Sequence, residues 1–273
     1  MPQMAVEALS ENWLFKELGD LHWNMLCDGL KTPSFHLKDE LGNRLYATFV
    51  RIRIQSTISL NEFKESEELE VNGSMKRYGN GMYFSNTILN SKNGKIEADL
   101  MTSFSIRNDT DNTKLMKSEP FTNTNSIPEY DNFPLFGNDY RLIKKEEINE
   151  LTLGGNKFKI QDEIIFKVEY ELNPYYDLNG VGLLYFAAYP IINEVCEAKY
   201  FNSKKTERWE QNYYTISRDI FYFANCNIND TIEYKLNFYE YIDGNKIKIS
   251  SSLFRKSDSV LMARIFTIKQ KKQ

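Results

Sequence analysis

Several residue types that mark common kinds of functional site are scarce in this 273-residue chain. It has three cysteines, Cys27, Cys196 and Cys226, without a Cys-x-x-Cys spacing, and only two histidines, His22 and His36. An odd, widely spaced set of cysteines fits reduced thiols in a cytoplasm better than a disulfide framework. The spacing also gives no reason to expect a metal site.

Long hydrophobic runs and an excess of positive charge are missing as well. No apolar run approaches the roughly 20 residues that a membrane helix needs, and the first residues, M-P-Q-M, lack the basic and apolar regions of a secretion signal. The net charge of −4 argues against broad nucleic-acid binding. With 41% hydrophobic residues the chain can still build real cores, so we expect a globular cytoplasmic protein without nucleic-acid or membrane partners.

What the chain does contain is a weak internal duplication. Residues 19–23, read G-D-L-H-W, recur as residues 182–186, read G-L-L-Y-F, at a separation of 163 residues. At the same separation Gly81 matches Gly244. Such a duplication predicts two similar units that pack face to face and form a site between them.

Each half repeats one order of secondary-structure signals. A stripe of leucines at helical spacing predicts a helix over residues 13–30. An apolar run predicts a second, buried helix from Gly182 to about Tyr200, kinked or divided at Pro190. About four strands follow each helix, so each half is predicted to be an α+β unit in which an antiparallel sheet wraps around a central helix. The predicted strands cover residues 45–60, 67–76, 82–90, 96–107, 213–224, 231–241, 246–254 and 260–269.

Turn and composition signals complete the predicted organisation. Asn93-Gly94 and Asp243-Gly244 predict hairpin turns between neighbouring strands. Residues 108–139 are rich in Asn, Asp, Thr, Ser and Pro and have no periodicity, which favours a solvated linker over a lid that covers the interface. The predicted units are therefore residues 1–107 and 140–273.

Two segments resemble a known family. Residues 173–189, read N-P-Y-Y-D-L-N-G-V-G-L-L-Y-F-A-A-Y, resemble the start of the central helix in hot-dog-fold acyl-CoA thioesterases of the 4-hydroxybenzoyl-CoA type. With residues 12–23, residues 46–49 and the duplication, the whole chain is similar to the double-hot-dog proteins of polyketide biosynthesis, in particular the bifunctional acyltransferase/decarboxylase of leinamycin assembly. The resemblance implies a tandem, or double, hot-dog fold.

The resemblance also implies an activity. Such an enzyme takes a methylmalonyl group from coenzyme A, decarboxylates it and leaves a propionyl group on an acyl carrier protein, with a tyrosine that carries the acyl group. Tyr46 is the tyrosine in the matching segment, whereas the family pattern has more tyrosine where this chain has Val50 and Arg51. The implied partners are acyl-CoA and a polyketide acyl carrier protein. A homodimer is left open, and no cofactor is expected, because coenzyme A or phosphopantetheine enters as the substrate thioester.

The glycines of the second half suggest how a thioester could be polarised. At a helix start the first N–H groups have no internal partner, and Gly180 and Gly182, with Val181 between them, would let a thioester oxygen approach them. One such donor stabilises an oxyanion by roughly 3 kcal/mol. Decarboxylation passes through an enolate and hydrolysis through a tetrahedral oxyanion, so this feature serves both reactions.

Four further residues are candidates for the site. Asp177 is either a general base or nucleophile for hydrolysis or a helix cap, and Asn179 is a cap or a substrate contact. His22, aligned with Tyr185 of the other half, is an acid or hydrogen-bond donor, or else a half-buried helix residue. The resemblance adds Tyr185 and Asn12 as candidate substrate contacts.

Basic groups that could bind coenzyme A phosphates or an acidic carrier protein are Lys204-Lys205, Arg208 and residues 269–272, unless these are only solvated surface. Two other functions remain open at this point. One is a hot-dog thioesterase or dehydratase, and the other is a non-catalytic acyl-binding or docking protein with a decayed site.

Overall fold

The computed structural model describes residues 3–108, 111–122, 126–204 and 207–272. Its helices are α1 Glu11–Leu30, α2 Leu135–Lys144, α3 Ala188–Lys204 and α4 Trp209–Asn212. Its strands are β1 Met4–Ala5, β2 Ala8–Leu9, β3 Tyr46–Ser56, β4 Glu70–Tyr78, β5 Met82–Asn90, β6 Lys95–Asn108, β7 Asp111–Lys117, β8 Glu150–Leu153, β9 Asn156–Lys159, β10 Phe166–Glu171, β11 Tyr213–Tyr222, β12 Thr231–Ile242, β13 Lys246–Arg255 and β14 Val260–Lys271.

One antiparallel sheet unites the two halves. In the described residues ten strands form it, in the order β10-β12-β13-β14-β11-β3-β6-β5-β4, with β7 beside the end of β6. The halves meet where β11 pairs with β3 and Ile220 lies opposite Ile52. Because each half contributes one long helix and one set of antiparallel strands, the predicted α+β double hot-dog fold is confirmed.

The sheet is covered on both faces. Ile220 and Ile265 belong to the core that includes α1 and α3, whereas their chain neighbours Phe221 and Phe266 belong to a second core with α2 and the β8-β9 hairpin. Successive side chains of a strand point to opposite faces, so the two long helices lie on one face and α2 with the hairpin on the other.

Helix α1 forms as its sequence predicts. The leucines at helical spacing are buried, among them Leu14, Leu18 and Leu26. Ser10 accepts a hydrogen bond from the Trp13 N–H and so satisfies one of the free donors of the first turn. The helix ends where Lys31 adopts a left-handed conformation.

The duplication holds for the strands and fails for the helices. Gly81 and Gly244 lie in corresponding turns, β4-β5 and β12-β13, and Asp243-Gly244 has the positive φ values of a tight hairpin turn. Gly19, however, lies inside α1, and Gly182 lies ahead of α3. The two segments are in fact packed together, since a Cβ on Gly19 would lie 2.2 Å from the Phe186 ring.

The prediction for the second helix is wrong at its start. Helix α3 begins at Ala188 and not at Gly182, because the residues before it form turns held by side-chain hydrogen bonds. Pro190 neither kinks nor divides the helix. It is the third residue of α3, in the first turn, where a missing N–H costs nothing.

The segment between the halves is more ordered than a solvated linker. Residues 111–117 form β7, which pairs with β6, and α2 begins at Leu135. The polar composition of this segment, rich in Asn, Asp and Thr, does not indicate a strand, since edge pairing needs no hydrophobic alternation. Residues 109–110 and 123–125 of the segment lie outside the described residues. The division into units at 107 and 140 stays a prediction.

Two features are absent from the described residues. No helix among them combines the length and the apolar character needed to cross a membrane. Within the same ranges no group of three or more His, Cys, Asp or Glu side chains is placed to hold a metal ion.

Candidate active site

A cavity of about 300 Å³ lies between the loop that precedes α3 and the first half of the sheet. Its wall includes Tyr46 and Val50 of β3 and Asn179, Tyr185 and Phe186 of the loop. The other residues that contribute to the wall include Ser103 and Ser105 of β6, Asn112, Thr113, Leu115 and Lys117 of β7, Tyr140 and Lys144 of α2, and residues 222–225. The cavity therefore lies at the junction of the halves, where the duplication predicts a site.

The loop before α3 is held by side chains from distant parts of the chain. Asn112 Nδ2 donates to the Gly182 carbonyl at 2.6 Å, and Asn225 Oδ1 accepts from the Leu184 N–H at 2.9 Å. The Tyr222 hydroxyl donates to the Phe186 carbonyl at 3.1 Å. These bonds satisfy backbone groups that a helix would otherwise pair, which explains why this apolar run is not helical.

Asn179 organises the loop from within. Its Oδ1 accepts hydrogen bonds from the N–H groups of Val181 at 3.1 Å and Leu183 at 3.0 Å. Its carbonyl accepts the Gly182 N–H at 2.9 Å, a turn that Gly182 permits with φ of 78°. With Oδ1 committed, the Nδ2 group of Asn179 has no hydrogen-bond partner among the described residues, and Asn179 lines the cavity.

The predicted glycine cradle is therefore wrong. The N–H groups of Val181 and Gly182 are bonded to Asn179 and cannot receive a thioester oxygen. Gly180 is exposed, with open space where a Cβ would be. One donor left free on the cavity wall is the side-chain amide of Asn179, whose Oδ1 holds the loop; its contact with a substrate stays a prediction.

Asp177 stabilises a turn with Asn173 and is not a helix cap, since α3 begins at Ala188. Its carboxylate accepts the Asn173 N–H at 2.7 Å and the Tyr170 hydroxyl at 3.1 Å, and the side chain is buried away from the cavity wall. Burial, followed by the charge of Asp177, raises the pKa of Tyr170. The role of general base is not supported, because both interactions use the carboxylate oxygens within the turn.

Tyr46, a predicted catalytic residue, lies on the cavity wall, and its catalytic role stays a prediction. It is the first residue of β3 and is half-buried, with the Arg44 guanidinium 5.1 Å from its ring centre. Its hydroxyl has no hydrogen-bond partner within the described ranges. Tyr185 also lines the cavity, and burial together with the charge of Asp20 raises its pKa.

His22 is buried in the core and does not line the cavity. Its Nδ1 lies 2.7 Å from Ser85 Oγ and its Nε2 2.8 Å from Thr102 Oγ1. Burial lowers the pKa of His22 to about 3, so the ring is neutral. The expectation of a catalytic acid is wrong, because both ring nitrogens are occupied. Asn12, near the start of α1, is also absent from the wall.

The basic residues at the cavity are not the ones predicted. Lys269 is buried in ion pairs with Glu194 and Glu197, and Lys205 lies outside the described residues. The lysines on the wall are Lys117 and Lys144, which lie far apart in the sequence. No local pattern marks them, since they converge only in the fold.

The matching position in the other half is closed. Around the paired Ile52 and Ile220, Tyr214 is the counterpart of Tyr46. Its hydroxyl donates to Glu7 at 3.3 Å and to the Gln211 carbonyl at 3.1 Å, and Glu7 is paired with Lys272. The Tyr214 hydroxyl is thus occupied by other groups of the protein, whereas the Tyr46 hydroxyl has no described partner.

The charged side chains on the cavity wall are all positive. Among the described residues that line it there are amides, hydroxyls, aromatic rings and two lysines, and neither a carboxylate nor an imidazole. Such a wall can donate hydrogen bonds to an oxygen that gains negative charge. It lacks the carboxylate or imidazole that most often activates water for attack.

Comparisons with known proteins agree on the fold. No protein-family model and no curated protein matches the chain. Among solved structures it is similar to a putative oleoyl thioesterase from Lactobacillus plantarum, with a TM-score of 0.67 and 8% identity over 98% of this chain and 91% of that one.

Two further structures have similar coverage. The 12:0-ACP thioesterase from Umbellularia californica gives a TM-score of 0.63 and 12% identity over 100% of this chain and 91% of that one. An acyl-ACP thioesterase from Bacteroides thetaiotaomicron gives a TM-score of 0.58 and 11% identity over 98% of this chain and 93% of that one. At these identities the likeness shows that the chain has the double hot-dog fold.

Proposed function

We propose that this protein is an acyl-thioester enzyme that decarboxylates a malonyl-type group, such as methylmalonyl, on coenzyme A and loads the product on an acyl carrier protein of polyketide assembly. The composition of the cavity wall carries the proposal: it has hydrogen-bond donors for an oxyanion and, among the described residues, no carboxylate or imidazole. The matched structures, all named as thioesterases, support the thioester part.

Decarboxylation is a reaction that such a wall can promote. The bond between the α-carbon and the carboxylate breaks, carbon dioxide leaves, and the electron pair forms a thioester enolate that takes up a proton at the α-carbon. Apolar side chains, among them Phe49, Leu183 and Phe186, solvate the negative charge of the carboxylate poorly and so favour its loss as carbon dioxide. The amide of Asn179 donates to the thioester oxygen as that oxygen becomes the enolate, a contribution of about 3 kcal/mol.

Hydrolysis has a requirement that this cavity does not meet. A base must take a proton from water as the water oxygen attacks the thioester carbon and the thiolate leaves. The nearest carboxylate in sequence, Asp177, is hydrogen-bonded to Asn173 and Tyr170. A carboxylate on the wall would also repel the carboxylate of a malonyl substrate. Because Asp177 is buried and hydrogen-bonded within its turn, the site favours decarboxylation over hydrolysis.

Tyr46 is the proposed acyl acceptor for the transfer. Its hydroxyl faces no described partner and it lies on the same wall as Asn179. In this step the tyrosine oxygen forms an ester with the acyl carbon, the thiol of coenzyme A leaves with the phenolic proton, and the carrier-protein thiol later takes the acyl group in the reverse exchange.

Product analysis tests the proposal. The full chain is incubated with methylmalonyl-CoA, with and without a phosphopantetheinylated carrier protein, and the products are read by mass spectrometry. We expect carbon dioxide and propionyl-CoA, and a propionyl group on the carrier protein. Free coenzyme A together with intact methylmalonate, or no turnover of any malonyl thioester, contradicts the proposal.

Thioester hydrolysis is the second candidate, because the matched structures are named as thioesterases. It predicts release of coenzyme A from simple acyl-CoA substrates that lack a second carboxylate. A non-catalytic acyl-binding protein, the third possibility, predicts stabilisation by acyl-CoA without any product.

A further inference from the structure

Two lysines converge on the candidate site from different elements. Lys117 is the last residue of β7 and Lys144 is the last residue of α2, and both line the cavity. Both residues are exposed. Because they are exposed and line the wall at once, they mark the side on which the cavity opens to solvent.

Neither lysine forms an ion pair within the part of the chain that the structure describes. Their neighbours differ: Lys114 lies 3.2 Å from Asp111, and Lys145 lies 3.6 Å from Glu147. Burial, and then the charge of Lys117, lowers the pKa of Lys144. Two positive charges therefore face one another without a carboxylate on the shared wall, an arrangement that a bound anion stabilises.

A structural role accounts for the position of only one of the two lysines. A lysine at the C-terminus of a helix interacts favourably with the helix dipole, and Lys144 ends α2. Lys117 ends a strand, so the dipole does not account for its position. What the two share is the cavity.

We propose that Lys117 and Lys144 bind the phosphate at the end of the pantetheine arm. This rests on the proposed function, because the thioester of such an arm is the substrate. The phosphate is common to coenzyme A and to the phosphopantetheine group of a carrier protein, so one site serves the donor and the acceptor of the acyl group. A lysine ammonium binds phosphate as a point charge and needs no fixed orientation, which suits two exposed side chains.

Equilibrium binding tests this without turnover. The double variant Lys117→Gln/Lys144→Gln is compared by calorimetry with the wild type and with the matched control Lys114→Gln/Lys145→Gln. The ligands are coenzyme A, phosphopantetheine, pantetheine and a holo carrier protein. We expect the affinity of the double variant for every phosphate-bearing ligand to fall about tenfold, the affinity for pantetheine to stay unchanged, and the control to behave as wild type.

The ligands separate the two sources of phosphate. A loss with coenzyme A but not with phosphopantetheine overturns the proposal, since it places the lysines at the adenosine phosphates. An equal loss in the control variant also overturns it, because the effect is then one of overall charge. The expected loss shrinks at high ionic strength.

Kinetics distinguish this inference from the proposed function. With methylmalonyl-phosphopantetheine the double variant should show a KM raised about tenfold and an unchanged kcat, and with methylmalonyl-pantetheine neither value should change. If no thioester is decarboxylated but the loss of phosphate affinity persists, the proposed function fails and the phosphate site stands. If turnover is observed and the affinities are unchanged, the phosphate site fails alone.

Discussion

Arg51 and Asp219 join the two halves of the protein through a buried, two-pronged ion pair. Arg51 Nε lies 3.0 Å from Asp219 Oδ1, and Nη2 lies 2.6 Å from Oδ2. Both side chains are fully buried. The pair bridges β11 and β3, the strand that also carries Tyr46, on the face opposite α1 and α3. The Arg51 position, which departs from the resembled family, thus has a structural role.

Removing one member of this pair should strongly destabilise the fold. Asp219→Ala leaves a buried guanidinium without its main partner, so we expect the free energy of unfolding to fall by about 3–5 kcal/mol in urea titrations. The double variant Arg51→Met/Asp219→Leu should lose less than Asp219→Ala. As a matched control, Arg53→Met, which removes the partly exposed pair with Asp99, should cost at most about 1 kcal/mol. A loss in Asp219→Ala no larger than in this control contradicts the prediction.

Asn179→Asp should lower kcat for decarboxylation about 100-fold. The substitution keeps an Oδ1 acceptor for the loop N–H groups and replaces the free amide donor by a negatively charged oxygen, which opposes enolate formation. The measurement is single-turnover kinetics with methylmalonyl-CoA, with the melting temperature as a check on folding. An unchanged kcat in a folded variant would show that the amide does not contact the reacting oxygen.

Tyr46→Phe should abolish acyl transfer and leave the protein folded. The Tyr46 hydroxyl has no hydrogen-bond partner in the described chain, so its loss should not change the melting temperature. In the wild type, rapid denaturation during turnover should reveal a propionyl adduct by intact-protein mass spectrometry, and the variant should lack it. An adduct that persists in the variant excludes Tyr46 as the acceptor.

Asp177→Asn separates decarboxylation from hydrolysis. Asn retains one acceptor oxygen for the Asn173 N–H, so the fold should survive with a loss of about 1 kcal/mol. We expect kcat for decarboxylation to stay within about threefold of wild type, because the carboxylate is not on the cavity wall. Loss of all acyl-CoA turnover in a folded variant supports the thioesterase alternative instead.

His22 should make stability depend on pH in acid. The native pKa of about 3 lies below the ordinary value of 6.5, so below pH 6.5 the unfolded chain binds a proton that the native state does not. The free energy of unfolding should therefore fall as the pH drops from 6.5 toward 3, by up to about 1.4 kcal/mol per pH unit. His22→Gln should lack this component of the slope, and the same substitution at the exposed His36 should retain it. Equal slopes in all three proteins exclude the assignment.

Local signals account for the parts of the fold that sequence reasoning predicts well. The strand over residues 82–90 is predicted with the bounds that the structure has, and α1 starts two residues earlier than predicted. In both cases periodicity and turn residues act within the element itself. The resemblance supplies the double hot-dog arrangement, which pairing of β3 with β11 completes.

The features of the fold and the site that the sequence does not predict depend on contacts between residues far apart in the chain. The apolar run before Ala188 is typical of a helix, but hydrogen bonds from distant side chains, among them Asn112 and Asn225, hold it as a loop. Strand β7 is polar and gains its structure from the end of β6. Lys117 and Lys144 meet only because β7 and α2 reach the same cavity. Tyr46, Asn179 and Tyr185 are the predicted residues that the fold brings together.

The most direct test of the account is a crystal structure of the full chain with a non-hydrolysable methylmalonyl-CoA mimic that cannot lose carbon dioxide. The account predicts the thioester oxygen about 3 Å from Asn179 Nδ2, with the carboxylate among the apolar side chains of the wall. An acyl group bound elsewhere, or a thioester oxygen in contact with Gly180 and a water held by Asp177, would contradict it.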